Sequence, residues 1–162
     1  MELEANTGPN PWIDPDSVAV CFGLARLTGL QELTIGSITS LAPGDARALT
    51  ALTALTYLSL SGVLCIDDAD MVVLAYGLPQ LRHLELAGLD FEGIAAMAAV
   101  GRLTQLTQLC LTNTGGLSDE SLMQLTGLVQ LQVLDEPNHC DGVTAEGVDL
   151  LWAAVRRQRQ LL

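Results

Sequence analysis

One arrangement of hydrophobic positions, L-x-x-L-x-L, recurs along the chain, with isoleucine or valine at the last position in the first and fifth copies. It lies within five strings: LTGLQELTIGSI from Leu27, LTALTYLSLSGV from Leu52, LPQLRHLELAGL from Leu78, LTQLTQLCLTNT from Leu103 and LTGLVQLQVLDE from Leu125. The equivalent leucines, Leu33, Leu58, Leu84, Leu109 and Leu131, recur at nearly equal intervals, of which only the last is clearly shorter. A nearly fixed period of this length indicates that one structural unit is repeated five times.

Each unit combines two hydrophobic periods. The end of every string alternates apolar and polar residues, which predicts a short strand with one buried face. Between the strings the apolar spacing becomes helical, as in DMVVLAYGL and EGIAAMAAVGRL, and each of these segments has acidic residues near its start and a glycine near its end. We therefore expect each unit to run as strand, turn, helix and return.

A single unit of this kind cannot bury its leucines, whereas stacked copies bury them against each other. Stacking predicts two columns of core residues. The first column is Leu30, Leu55, Leu81, Leu106 and Leu128, and the second is Leu33, Leu58, Leu84, Leu109 and Leu131. Because the helical side of each unit is wider than the strand side, the stack should curve, with a parallel sheet on its concave face.

These strings resemble the leucine-rich-repeat family. The spacing of the repeats, together with LSDESLMQL from Leu117, IDDADMVVL from Ile66 and VTAEGVDLL from Val143, is similar to its cysteine-containing subclass, found in F-box substrate receptors. The resemblance covers roughly residues 27 to 155 and implies an α/β, right-handed solenoid of about five strand-helix repeats with a concave parallel sheet. At the subclass's cysteine position this alignment places Ile38, Val63, Leu89, Thr114 and Glu136.

The two ends differ from the repeats. Residues 1–16 contain Pro9, Pro11 and Pro15, so we expect an irregular N-terminal tail there and a leucine-rich-repeat domain with terminal capping helices over residues 17–162. The first capping helix is expected over residues 17–25. The second should begin at Thr144 and bury one face, formed by Val148, Leu151, Trp152 and Val155.

The charge balance restricts the partners. Nineteen acidic residues against seven basic ones give a net charge of −12, which repels phosphate backbones and anionic membrane surfaces. We therefore expect a protein partner with a basic surface, and neither nucleic acid nor membrane. The acidic, polar start of the chain is unlike a secretory signal, and the four cysteines are scattered, so we expect an intracellular, cytoplasmic protein with free thiols.

Candidate chemistry is sparse in the sequence. His83 and Glu85 share one strand face, which could indicate an acid-base pair, but no nucleophile accompanies them, and a surface histidine is the simpler interpretation. His139 lies in DEPNHCD, where His, Cys and Asp could suggest a metal, yet a turn explains this string better because no second cluster completes the ligand set.

Three aspartates, Asp67, Asp68 and Asp70, are similar to part of a calcium loop that lacks its glycine and its distant glutamate. Helix-start carboxylates account for them better. No nucleotide-binding, nucleophile-elbow or zinc-protease string occurs in the sequence. We expect no enzyme activity, no cofactor and no metal site.

The repeat supplies a surface instead. The exposed strand positions should form a ridge beside a shallow trough of small residues, which suits a protein loop or helix better than a small molecule. The candidate partner-binding residues are Glu32, Tyr57, His83, Glu85, Gln108, Cys110, Asn113, Gln130 and Gln132. Two hypotheses follow: a protein-binding module that recruits a partner to a multi-subunit complex, or a structural subunit of a large assembly.

Overall fold

The computed structural model describes residues 2–4, 23–36, 44–63, 66–91, 94–135, 140 and 142–161. Its strands are β1 (Glu2–Glu4), β2 (Glu32–Gly36), β3 (Tyr57–Ser59), β4 (His83–Glu85), β5 (Gln108–Cys110) and β6 (Val133–Asp135). Its helices are α1 (Asp45–Leu49), α2 (Asp68–Gly77), α3 (Ile94–Val100), α4 (Asp119–Leu122) and α5 (Ala145–Arg159), with a 3-10 helix at Met123–Gly127. The strands form one parallel sheet in the order β1 to β6.

Strands β2 to β6 come from the five repeated strings, and a helix lies between each strand and the next. The α/β solenoid expected from the period is therefore confirmed. The same backbone contact joins successive repeats. The carbonyl oxygen just before a strand accepts hydrogen bonds from two N–H groups of the next repeat. Arg82 O, for example, accepts from Thr107 N at 2.8 Å and from Gln108 N at 3.0 Å.

The core is a ladder of aliphatic side chains between the sheet and the helices. Leu33, Leu58, Leu84 and Leu109 occupy matching positions in paired strands and are at most 1% exposed. Each strand contributes only one or two such residues, so the core needs several repeats before it excludes water. This explains how a chain with few aromatic residues fills its interior.

The register of the fifth repeat differs from the sequence alignment. Val133, not Gln130, pairs with Gln108, and Leu134, not Leu131, pairs with Leu109. The step from β5 to β6 is therefore as long as the step from β4 to β5. The error arose because this string has leucines at every third position, which permits two alignments, and the backbone hydrogen bonds select one: Gln132 N and Val133 N both donate to Thr107 O.

The N-terminal segment contains an element that the sequence did not predict. Residues 2–4, expected to be irregular, form β1, with Leu3 paired to Ile35. The alternation of Glu2, Leu3 and Glu4 suits a strand, and the edge of β2 offers unpaired backbone groups to it. Of the expected first capping helix, residues 23 and 24 are helical, and residues 17–22 lie outside the described part of the chain.

At the other end, the helix predicted from Thr144 is present as α5. The Thr144 side chain accepts a hydrogen bond from Gly147 N at 3.0 Å, and the predicted apolar face packs on the core, with Leu151 and Val155 fully buried. The Arg159 guanidinium donates to the carbonyls of Val129 and Leu131. Helix α5 thus covers the last repeat on its helical side and satisfies carbonyls there.

An acidic side chain ties the starts of the last two helices together. The Asp119 carboxylate accepts from the Thr144 backbone N at 2.8 Å and from the Thr144 hydroxyl at 2.7 Å. These donors favour the charged carboxylate and therefore lower the pKa of Asp119. A residue that resembles a simple helix-start acid thus also links α4 to the N-terminus of α5.

We expect Asp119→Asn to lower the melting temperature near neutral pH and to change its pH dependence. The folded-state pKa lies below the ordinary value of about 3.9, so the stabilisation is present above that value and is lost as the pH falls through the folded pKa. Melting curves from neutral pH into the acid range should show the wild type and the variant converging. Glu120→Gln, the same charge change beside it, removes no contact with Thr144; equal pH profiles for both variants would contradict the link.

Candidate functional site

The side of the sheet opposite the helices, which we call the concave face, consists of alternate residues along β2 to β6 and in the turns that follow β3, β4 and β5. Its members are Glu32, Thr34, Gly36, Tyr57, Ser59, Ser61, His83, Glu85, Ala87, Gln108, Cys110, Thr112, Val133 and Asp135. Three of these residues are carboxylates, and none of the fourteen is lysine or arginine. The concave face is therefore an acidic surface supported by a rigid ladder of leucines.

Three side chains on β3 and β4 form a compact cluster at the centre of this face. The rings of Tyr57 and His83 meet edge to face, with centroids 4.6 Å apart and planes at 69°. His83 Nε2 lies 3.3 Å from Glu85 Oε1, and both side chains are about 30% exposed (29% and 30%). Parallel pairing places Tyr57 beside His83, and the strand period of two places Glu85 on the same face.

Glu85 also interacts with the tyrosine. The pKa of Tyr57 is raised, first because the hydroxyl is partly removed from water and then because the Glu85 carboxylate accepts a hydrogen bond from it. Interactions with Thr34 and Ser59 oppose this rise. The phenol therefore remains protonated at neutral pH and acts as a hydrogen-bond donor. We call Tyr57, His83 and Glu85 the central cluster.

Small residues lie along the strands beyond the central cluster. Ser59 and Cys110 lie on either side of Glu85 in one row across the strands, and the next row is Gly36, Ser61, Ala87 and Thr112. Hydroxyl and thiol groups pair along the strands, with Ser59 Oγ 3.2 Å from Ser61 Oγ and Cys110 Sγ 3.5 Å from Thr112 Oγ1. The surface is therefore low beside the ridge formed by Tyr57 and His83, and we call this low strip, Gly36, Ser61, Ala87 and Thr112, the trough.

The structure places the sequence-predicted residues unequally. Six lie on the concave face: Glu32, Tyr57, His83, Glu85, Gln108 and Cys110. Asn113 is exposed in the turn after β5 with φ 55°, where the preceding repeats have Gly62 and Gly88 with φ 71° and 73°. Asparagine tolerates this left-handed conformation better than most residues, so the backbone alone accounts for Asn113.

Two predicted site residues are wrong for the strand face. Gln130 lies in the turn before β6, and Gln132 immediately precedes that strand. Their places on the concave face belong to Val133 and Asp135, which pair with Gln108 and Cys110. Leu134 pairs with Leu109, so it belongs to the leucine ladder and is half-buried at its end. A uniform step between repeats would have identified Val133 and Asp135 from the sequence.

The other residues considered for metal binding have structural roles wherever the structure describes them. Asp67 caps α2 by accepting from Asp70 N at 2.8 Å, as its position before the helix predicted. Among the described residues no group of three or more His, Cys, Asp or Glu side chains could hold a metal ion. Two members of the DEPNHCD string considered for a metal, His139 and Asp141, lie outside the described residues.

The two cysteines in the described part of the chain are free thiols. Cys110 is half-buried on the concave face, and Cys140 is buried in the turn region after β6. The Cys140 thiol donates to Leu111 O at 3.3 Å, just as the Thr114 hydroxyl donates to Leu86 O at 3.0 Å one repeat earlier. Cys21 and Cys65 lie outside the described residues. No helix in the described ranges is long and apolar enough to cross a membrane.

Comparisons with known proteins agree with this architecture. No protein-family model and no curated protein sequence matches the chain. The tropomodulin C-terminal domain from Caenorhabditis elegans is similar in structure, with a TM-score of 0.61 and 16% identity over 88% of this chain and 93% of that one. The fold is that of a leucine-rich-repeat solenoid.

A second solved structure, described as the Mex67:Mtr2 subunits from Chaetomium, has a TM-score of 0.53 to this chain. It is 21% identical over 85% of this chain and 98% of that one. Sequence identities this low support a shared fold. They do not show a shared function, which depends on this chain's own surface.

Proposed function

We propose that this chain is a non-catalytic protein-protein interaction module that binds a protein partner through the concave face. The central cluster carries this proposal. Tyr57 offers an aromatic ring with a polar tip, and His83 and Glu85 hold it in one orientation before any partner arrives. Rigid, half-exposed aromatic side chains at the centre of a surface are frequent anchors of protein interfaces.

The partner surface that meets this face is proposed to be basic. Glu32 and Asp135 are exposed on either side of the central cluster, Glu85 is within it, and the whole chain carries a net charge of −12. Complementary charge speeds encounter and selects the orientation of binding. The same charge disfavours nucleic acid and anionic membranes, and a shallow open sheet suits a protein contact better than capture of a small molecule.

We also propose that the chain is related to the cysteine-containing leucine-rich repeats. Hydrogen bonding supports this, because the Cys140 thiol bonds Leu111 O as the Thr114 hydroxyl bonds Leu86 O one repeat earlier. A thiol bonded to a carbonyl of the previous repeat is what such a cysteine would contribute. Free thiols at Cys110 and Cys140 fit a reducing, intracellular compartment.

The second candidate function is a structural subunit of a large assembly. One observation favours it: apolar side chains are exposed at the last repeat, with Val133 41%, Leu150 54% and Leu161 74% exposed. Strand β6 is the last strand in the sheet order, and Leu134 is less buried than its counterparts in the inner strands. In that case the end of the solenoid, and not the concave face, would contact the partner.

Tyr57→Ala should weaken partner binding by about 1–3 kcal/mol because it removes the aromatic anchor at the centre of the proposed interface. The partner is captured from the native cell with the wild-type chain, purified, and its dissociation constant measured for each variant. Tyr76→Ala is the matched control, since Tyr76 is 61% exposed on α2, on the helical side. We expect Tyr76→Ala to bind like the wild type.

Glu85→Arg should weaken the same complex further by reversing charge within the central cluster. Melting temperatures of all variants confirm that each is folded. If Tyr76→Ala abolished association while Tyr57→Ala and Glu85→Arg bound normally, the concave face would not be the interface. The structural-subunit hypothesis would then account better for the surface.

A further inference from the structure

We propose that the concave face binds a single α-helix of the partner, and that this helix presents an arginine side chain to the central cluster. The inference rests on the proposed function and specifies the partner element and its chemistry. Two independent properties of the face lead to it. One is the size and shape of the trough, and the other is the arrangement of acceptors and rings around Glu85.

The trough has the dimensions of a short helix. It crosses the end of β2 and the turns just after β3, β4 and β5, and neighbouring strands are about 4.8 Å apart, so its floor is about 14 Å long. About ten residues of α-helix, at 1.5 Å per residue, have that length. The floor side chains, Gly36, Ser61, Ala87 and Thr112, are small, so a helix about 10 Å wide could lie over them with one side against the ridge of Tyr57 and His83.

The central cluster suits a guanidinium group. Glu85 is engaged by His83 and by Tyr57, yet an ionised carboxylate has about four acceptor sites, and this side chain is still 30% exposed. Arginine donates in a fixed planar fork and stacks on aromatic rings, whereas lysine supplies a compact point charge. Glu32, exposed next to Tyr57 on the neighbouring strand, adds a second carboxylate beside the same ring.

Charge complementarity also selects this occupant over the alternatives. No concave-face residue is lysine or arginine, so no permanently charged cation of this face competes for Glu85 or Glu32. An acidic helix would place like charges opposite each other, and an apolar helix would remove these carboxylates from water without supplying a new hydrogen-bond donor. A helix with arginine on the side that faces the ridge avoids both costs.

The test is an NMR titration of the full chain with two kinds of probe. The first is Nα-acetyl-arginine methylamide, compared with its citrulline counterpart, which has nearly the same shape but no charge. The second is an alanine-based helical peptide with one arginine, compared with the same peptide carrying a central proline that disrupts the helix. Changes in chemical shift show where each probe binds, and the dependence of these changes on probe concentration gives the affinity of the probe.

We expect the arginine probes to perturb Tyr57, His83 and Glu85 and the free arginine derivative to bind about five- to tenfold more tightly than its citrulline counterpart. Glu85→Gln should remove that difference, and Glu120→Gln, at an exposed site on α4, should preserve it. Ala87→Leu, which fills the trough without changing charge, should weaken the helical peptide and leave the free arginine derivative unaffected.

The contrary outcomes separate the two levels of the proposal. Equal binding of arginine and citrulline at the concave face, or no effect of Glu85→Gln, overturns the arginine site while leaving the concave face as the interface. Equal binding of the helical and proline peptides overturns the helix. Chemical-shift changes confined to α2, α3 and the 3-10 helix, or no changes up to tens of millimolar probe, overturn the inference. The proposed function would remain intact if binding of the native partner still required Tyr57.

Discussion

Leu84→Ala should lower the free energy of unfolding by roughly 2–5 kcal/mol. Leu84 is 1% exposed, and it lies between Leu58 and Leu109 in the paired strands on either side. Removing its isobutyl group loses the transfer free energy of the buried atoms and leaves a cavity that the rigid neighbouring strands cannot close. Chemical denaturation of the purified chain measures the change.

The control for this substitution is Leu150→Ala. Leu150 is a leucine on α5 that is 54% exposed, so its truncation removes little buried surface and should change the free energy of unfolding by less than about 1 kcal/mol. A loss below about 1 kcal/mol for Leu84→Ala would place Leu84 outside the leucine ladder.

Gly116→Ala should be similarly costly, for a backbone reason. Gly116 has φ 68°, and a Cβ atom there would overlap the carbonyl oxygen of Phe91 in the preceding repeat. The left-handed conformation costs an L-residue roughly 1–2 kcal/mol, and relieving the overlap adds about 1–3 kcal/mol, because backbone and not a flexible side chain must move. Thermal and chemical denaturation should both show the loss.

Gly62→Ala separates the two causes. Gly62 has nearly the same φ, 71°, but nothing lies within 4 Å of a Cβ added to it. It should therefore show only the conformational part, roughly 1–2 kcal/mol. If Gly116→Ala and Gly62→Ala lost the same stability, the turn around Gly116 would not pack closely against Phe91.

The repeat period predicted most of the fold because it constrains every level of the structure at once. The alternation in HLEL (His83 to Leu86) determines which side of β4 is buried, and parallel stacking then determines which residues of neighbouring strands are adjacent. Tyr57, His83 and Glu85 could therefore be placed together on one face from the sequence alone.

Two features of the structure were not predicted from the repeat period. In the fifth repeat, leucines at every third position allowed two alignments, and the hydrogen bonds to Thr107 O show that the chain adopts the one with the uniform step between repeats. The link from Asp119 to Thr144 joins one repeat to the next and depends on two loops meeting, which no local pattern encodes.

Within the candidate site, the sequence predicted neighbours but not contacts. Strand pairing places Tyr57 next to His83, whereas the edge-to-face ring contact and the 3.3 Å separation of Nε2 and Oε1 depend on side-chain rotamers. The raised pKa of Tyr57 depends on how much water the neighbouring side chains exclude. Such quantities follow from packing in three dimensions and have no signature in the period of the repeat.

Hydroxyl-radical footprinting of the chain with its native partner tests the central claim most directly, because it compares both sides of the solenoid in one experiment. Tyr57 and Cys110 report on the concave face, and Tyr76 and Met123, 61% and 37% exposed, report on the helical side. We predict that bound partner slows oxidation of Tyr57 and Cys110 several-fold and leaves Tyr76 and Met123 unchanged. Protection of Tyr76 and Met123, with Tyr57 and Cys110 oxidised as in the free chain, would contradict the proposal that the concave face is the binding surface.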